Sequence, residues 1–297
     1  MVDGRSLFLS MRAGLESGKE GVFALRAWRV RTAGCRKWIF LFPQVLVSWS
    51  LGQPLARSSP WGGGALKTGI WKGEKIVNVL DALSTRYSAR AYKPQPVEKE
   101  VLLKIMEAAL RTPSWADTQP WEIFIAGGEV LSRLRRAFLA RHGEGLPIQP
   151  DIPRPQDWPP ALQRRMAEMV AHGLKVRGLA PDDEEVRRQS LRRNFEFFGA
   201  PAVLYLCQDR SLTPYSVFDL GMMAMSIMLA ARELGVDSIP AVNLVGYPDI
   251  LRAELDIPAN LMIVMGLALG YGDPEQLVNK PRTPRRPIGD AVRLKGI

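Results

Sequence analysis

From residue 76 onward, stretches whose apolar residues recur every three or four positions alternate with short runs that are apolar throughout. That pattern predicts many helices and a few buried strands. In "KIVNVLDALSTR", Ile76, Val79, Leu80 and Leu83 share one helical face. "VEKEVLLKIMEAALR" repeats the pattern, opened by Pro96 and stopped near Pro113. The strand "WEIFIAG" and the helix "GEVLSRLRRAFLARH" follow. Residues 143–190 are rich in proline and then in charge, and read as an inserted excursion with one or two helices. "PAVLYLC" predicts a short core strand. "YSVFDLGMMAMSIMLAARELGV" is apolar on nearly every side, which predicts a helix shared between the core and a subunit interface. Asp219, Arg232 and Glu233 within it, and the α/β pattern around it, oppose a membrane span. The turn-containing "DSIPAVNLVGYP", the helix "DILRAELDIP", the strand "LMIVMGLALGYG" and a basic, proline-rich tail complete the chain. The fold class is α+β. With no GxGxxG after a strand and no GxxxxGK[ST], neither a Rossmann nor a P-loop architecture has support.

Composition separates the first quarter from the rest. Of 297 residues 46% are apolar, enough for a substantial core, and the formal charge is +10. Residues 1–75 hold 12 Lys/Arg against 4 Asp/Glu, whereas residues 76–297 hold 28 against 26. The basic character therefore belongs to an extension that is also rich in Trp and Gly, with "SSPWGGGALKTG" as a linker. This extension, 1–75, is expected to be poorly structured, and 76–297 is expected to be one domain with a lid at about 143–190. The apolar run Trp38–Leu51 contains Pro43 and is short for a membrane span of about 20 residues. Neither nucleic acid nor membrane is an expected partner. A reading in which 1–75 binds either one is the alternative from a different class, and deleting the extension separates the two.

Cys35 and Cys207 lie far apart with no CxxC, and only two histidines exist, so disulfide frameworks, zinc sites and hydrolase triads are disfavoured. A bound cofactor is the natural carrier of hard chemistry in such a chain. Three stretches suit one. "TRYSARAY" offers two guanidinium groups and a hydroxyl to a phosphate. "PSWADTQPW" mixes hydroxyl, carboxyl, amide and indole groups in a loop without glycine. "PRTPRRP" supplies a second basic clamp.

In their order and spacing these motifs resemble the flavin-dependent nitroreductase family, from about Ile76 to the C-terminus, with "LGYGDP" as a further, weaker match. The resemblance implies a central, mostly antiparallel sheet flanked by helices, in a homodimer that binds FMN at the subunit interface. It implies an NAD(P)H-dependent FMN oxidoreductase that reduces nitroaromatic or quinone-type acceptors by two-electron ping-pong transfer. Flavin N5 would carry the chemistry, with no catalytic side chain and no metal. Carried over by motif, Arg86, Ser88 and Arg90 hold the phosphate and ribityl chain, and Tyr87 adds backbone contacts. Pro113, Ser114 and Trp115 pack along the ring, and Asp117 lies near the ribityl chain. Pro240 and Ala241 approach the reactive edge, and Asn194 falls to the pyrimidine edge. Arg285 or Arg286 completes the phosphate site, the register between them being open. Trp158 in the excursion is expected to wall the substrate face. Asp117 stands where Asn is common, Val242 where some members carry Glu, and the excursion is longer than in compact members. Dehalogenation, ene reduction and flavin fragmentation are alternatives on the same fold. The expected compartment is the cytoplasm.

Overall fold

In the computed structural model, residues 78–180 and 183–297 are described in full, with three upstream strands described by their backbone. The chain divides into two compact units, 1–72 and 73–297. In the first, β1 (Trp28–Thr32), β2 (Cys35–Phe42) and β3 (Val45–Ser50) pair antiparallel in sequence order. Part of the stretch expected to be poorly structured is therefore paired. The "SSPWGGGALKTG" segment lies outside the described residues, as does Ile76.

In the second unit, α1 (Val79–Thr85) starts where Asn78 accepts a hydrogen bond from the Asp81 N–H at 3.0 Å. α2 (Lys99–Ala109), β4 (Glu122–Gly127) and α3 (Gly128–Gly143) follow within two residues of their sequence boundaries. The excursion holds α4 (Pro160–Arg177) and α5 (Glu184–Phe195). Gly178, at φ 68°, ends α4, and the Asp183 side chain caps α5. β5 (Ala202–Asp209), α6 (Pro214–Glu233), β6 (Asp237–Ala241), α7 (Pro248–Leu255), β7 (Leu261–Gly270) and α8 (Ile288–Ala291) complete the unit.

The sheet order is β4-β5-β7-β6, every pair antiparallel. Strand alternation sends β5 residues Ala202, Leu204 and Leu206 to one core, with Ile105 of α2 and Leu220, Met223 and Ile227 of α6. Val203, Tyr205 and Cys207 point to the other core, with Leu134 and Phe138 of α3, Leu251 of α7 and Phe195–Phe198. Burial pushes the Cys207 thiol up to about 12. On β7 the pairing shifts opposite Leu206/Cys207, so that Leu267 and Leu269 face the α6 side while Leu261 and Ile263 face the α3 side. A one-residue bulge reverses side-chain parity in mid-strand, and here Leu261 and Ile263 before it and Ala268 after it face the same core. Asp151 ties the start of the excursion to this place, accepting from the Ile263 N–H at 2.8 Å and from Arg252 at 2.5 Å.

α6 is long and apolar enough to cross a membrane by length and composition. Its stripe Leu220, Met223, Ile227 and Ala231 nevertheless packs on the sheet, and the opposite side, with Tyr215 and Phe218, stands exposed in the single chain.

Candidate functional site

The "RYSAR" segment leaves α1 and runs beside β6. Ser88 bridges Ser238 in parallel, and the Ala89 N–H donates to the Ser238 carbonyl at 3.2 Å. Hydrogen bonds of Tyr87, Arg90 and Ala91 tie this part of the chain to distant residues. Tyr87 Oη donates to Asp237 Oδ2 (3.2 Å), and the same oxygen accepts from the Gly272 N–H (3.2 Å). Arg232 Nη1 donates to Asp237 Oδ1 at 3.0 Å. The Arg90 N–H donates to Asn279 Oδ1 at 2.7 Å, and Asn279 Nδ2 returns a bond to the Ala91 carbonyl at 2.7 Å. Arg282 then lies 4.0 Å over the Tyr87 ring, a cation–π contact. Burial first, and then the Asp237 charge, push the Tyr87 hydroxyl up to about 12, so it stays protonated and donating at neutral pH. "LGYGDP" takes its meaning from this junction. A Cβ at Gly272 would sit 2.4 Å from Tyr87 Oη and 2.6 Å from Asp237 Oδ2, closer than packing allows.

Arg86 caps the end of α1, and its Nε is buried without a hydrogen-bond partner. Burial, and then the like charge of Arg285, lower its pKa. Ser238 Oγ, across the bridge from Ser88, is also buried and unpartnered. A buried donor left without a partner suits an anion, whose oxygens would satisfy it. Arg285 is the tail arginine that acts on Arg86. Arg286 is exposed.

Arg90, at the end of the same segment, lines a cavity of about 840 Å³. It brings together four of the residues singled out from the sequence: Arg90, Asn194, Pro240 and Ala241. Arg90 is tied by its Nη1 to the Ser88 carbonyl at 3.1 Å. Phe198 and Ile239, with Met166, Met169 and Val170 of α4, supply apolar walls, and Arg177, Ser190 and Arg193 add polar lining. Trp158 does not line the cavity. It stands exposed just before α4, with its carbonyl accepting from Gln163 Nε2. The excursion does wall the cavity, through the methionine face of α4, which sequence reasoning missed. The alternation of Met and Val with charged residues in "RRMAEMVAHGLK" was the available signal.

The loop Pro113–Asp117 also lies away from this cavity in the single chain. Thr112 Oγ1 meets Ser226 Oγ at 2.6 Å, and the Trp115 N–H donates to the buried Asp219 at 3.3 Å, so the loop runs along α6. Ala116, Asp117 and Gln119 adopt left-handed φ values of 48°, 56° and 46°, although none is glycine. Each costs about 1–3 kcal/mol. The Gln119 N–H bonded to Ser114 Oγ at 2.9 Å holds the loop in this shape, with Asp117 accepting from Gln119 Nε2 at 3.2 Å. Trp115 is left 72% exposed.

An antiparallel sheet thus carries Arg86 under the charge of Arg285, and a cavity lined by Arg90, Asn194, Pro240 and Ala241. The chain belongs to the Nitroreductase family, whose pattern it matches over residues 83–271. It is 31% identical over 210 residues to nitroreductase NfnB of Mycolicibacterium smegmatis, covering 70% of this chain and 89% of that protein. It is 33% identical over 197 residues to nitrobenzene nitroreductase of Ectopseudomonas oleovorans, covering 65% and 86%. Among solved structures, it is similar to the FMN- and NADPH-dependent NfnB of Sphigopyxis sp. strain HMH, with a TM-score of 0.70 at 31% identity, covering 74% of this chain and all of that one.

Proposed function

We propose that this protein reduces nitroaromatic or quinone-type acceptors with electrons from NADPH or NADH, the two substrates using one cavity in turn. As a member of its family it is an NAD(P)H-dependent FMN oxidoreductase. The observation that carries the reading is the buried, unpartnered Arg86 Nε, under the like charge of Arg285, in the same short segment as Arg90, which lines the cavity. Arg86 and Arg285 would hold the FMN phosphate, with Ser88, Ser238 and Arg90 next to them. Asn194 offers an amide able to donate and accept at a ring edge. The backbone of Pro240–Ala241 closes the cavity beside the sheet. Bound FMN supplies hydride exchange, which none of these side chains can perform. Met166, Met169 and Val170 provide an adaptable apolar face against which a flat acceptor stacks and which excludes water.

The reading includes a homodimer formed through the exposed side of α6, where Tyr215 and Phe218 have no cover in the single chain. The direct test is the colour and cargo of the purified protein. It should absorb near ~450 nm, as oxidised flavin does, release FMN rather than FAD on denaturation, and oxidise NADPH in the presence of nitrobenzene. A colourless protein that FMN cannot reconstitute would sink the proposal.

A further inference from the structure

The cavity of about 840 Å³ adjoins a second one of about 320 Å³, and both are lined by Arg177, Val186, Ser190 and Arg193, which form a neck between them. The far chamber is more polar, with Gln189, Glu275 and Gln276 in its walls. Arg177 comes from the last turn of α4, where its Nε donates to the Gly173 carbonyl at 3.1 Å, and Arg193 comes from the last turn of α5. Two helices thus deliver two guanidinium groups to one constriction. They stand close enough that, after burial, the charge of Arg193 lowers the Arg177 pKa, and Arg177 acts in the same way on the more deeply buried Arg90.

Carboxylates are available on the same helix and are used by its neighbours: Arg188 pairs with Glu185, and Arg192 with Glu196. Among the described residues, Arg177 and Arg193 form no ion pair. Like charges gathered at a cavity are unfavourable unless an anion joins them, and guanidinium pairs match phosphate oxygens in geometry.

We propose that the Arg177–Arg193 neck is a second anion site, separate from the Arg86–Arg285 clamp, that grips the phosphate groups of the nicotinamide dinucleotide donor. The inference rests on the reading above, in which FMN and the acceptor share the larger cavity. A nitroarene is a single ring and fills only that cavity. A dinucleotide is two nucleosides joined through a charged pyrophosphate. With its nicotinamide in the larger cavity, its adenosine half reaches the far chamber and its phosphates cross the neck.

The experiment uses FMN-loaded parent protein and the Arg193→Ala and Arg193→Lys variants, with NADP⁺ and NAD⁺ binding followed by calorimetry, alongside FMN content and thermal midpoint. Loss of one charge-assisted contact should weaken NADP⁺ by about tenfold in Arg193→Ala. FMN content and midpoint should stay at the parent values, and Arg193→Lys should recover part of the affinity. An equal loss for NADP⁺ and NAD⁺ assigns the neck to the pyrophosphate. A loss confined to NADP⁺ assigns it to the 2′-phosphate, and either result upholds the site. Dinucleotide affinities within twofold of the parent overturn it. Loss of FMN in place of dinucleotide also overturns it, because the pair would then belong to the flavin. A parent protein that holds no FMN fails the underlying reading before any variant is compared.

Discussion

At Arg86 the guanidinium Nε is shut away from water without an acceptor, and Arg285 adds a like charge beside it. If FMN phosphate fills that place, Arg86→Ala removes a charge-assisted contact of about 1.5–3 kcal/mol, or roughly 10- to 150-fold in the FMN dissociation constant. The fluorescence of FMN released on dilution and dialysis measures it, and full retention would show that Arg86 faces no phosphate. Arg86, Ser88 and Arg90 were legible because they form a compact motif. Asp237, Asn279 and Arg282, which fix that motif in place, were not. An aspartate that opens a strand and an asparagine in a proline-rich tail look ordinary until the chain brings each to a partner 150 or 189 residues away. Gly272 was seen as a weak match, and its reason, a Cβ with nowhere to go, exists only in three dimensions.

Elements were read better than single residues. The periodicity of α2, α3 and α7 and the apolar runs of β4, β5 and β7 located them to within a few residues, because burial of one face dictates the pattern. The bulge in β7 was invisible, since a strand apolar at nearly every position reads the same in either register. α4 shows the same limit. Its presence in the excursion was foreseen, but the face it turns to the cavity was not, and Trp158 drew attention that Met166 and Met169 warrant. Trp158→Ala should leave kcat/KM for a nitroarene within about twofold, below ~0.4 kcal/mol. Met169→Ala should change it by more than that while bound FMN, measured on release, stays constant. The reverse ranking would return the substrate wall to Trp158.

For the whole molecule, the geometry of α6 sets the problem. The Pro113–Asp117 loop is fastened near Asp219, whereas the clamp is fastened near Arg232, whose Nε donates to Thr85 Oγ1 at 3.2 Å. Thirteen residues of helix separate the two anchors, about 20 Å at the α-helical rise. An FMN molecule is shorter than that between phosphate and ring centre, so the proposed FMN site would draw its loop and its clamp from different chains. Two chains related by a twofold axis across their α6 helices would bring the loop of each to the clamp of the other. Complementation reads this out. Coexpressing an Arg86→Ala chain with a Ser114→Trp chain, each unable to hold FMN alone, should restore about a quarter of the parental flavin sites: random pairing makes half the dimers mixed, and each mixed dimer has one intact site. No recovery would place loop and clamp in the same chain.

The long reach of the Tyr87–Asp237 and Arg90–Asn279 bonds also sets a schedule for biosynthesis. The segment that begins the clamp is made well before its fasteners at Asp237, Gly272 and Asn279 and its second arginine at Arg285. A nascent chain still within the ribosome therefore has half a clamp and nothing to close it, and contacts so distant in sequence form late in folding as well. If Arg86 and Arg285 hold the FMN phosphate, cofactor loading has to wait for the basic tail, and a chain interrupted before Arg285 leaves the ribosome with only the first arginine of its clamp.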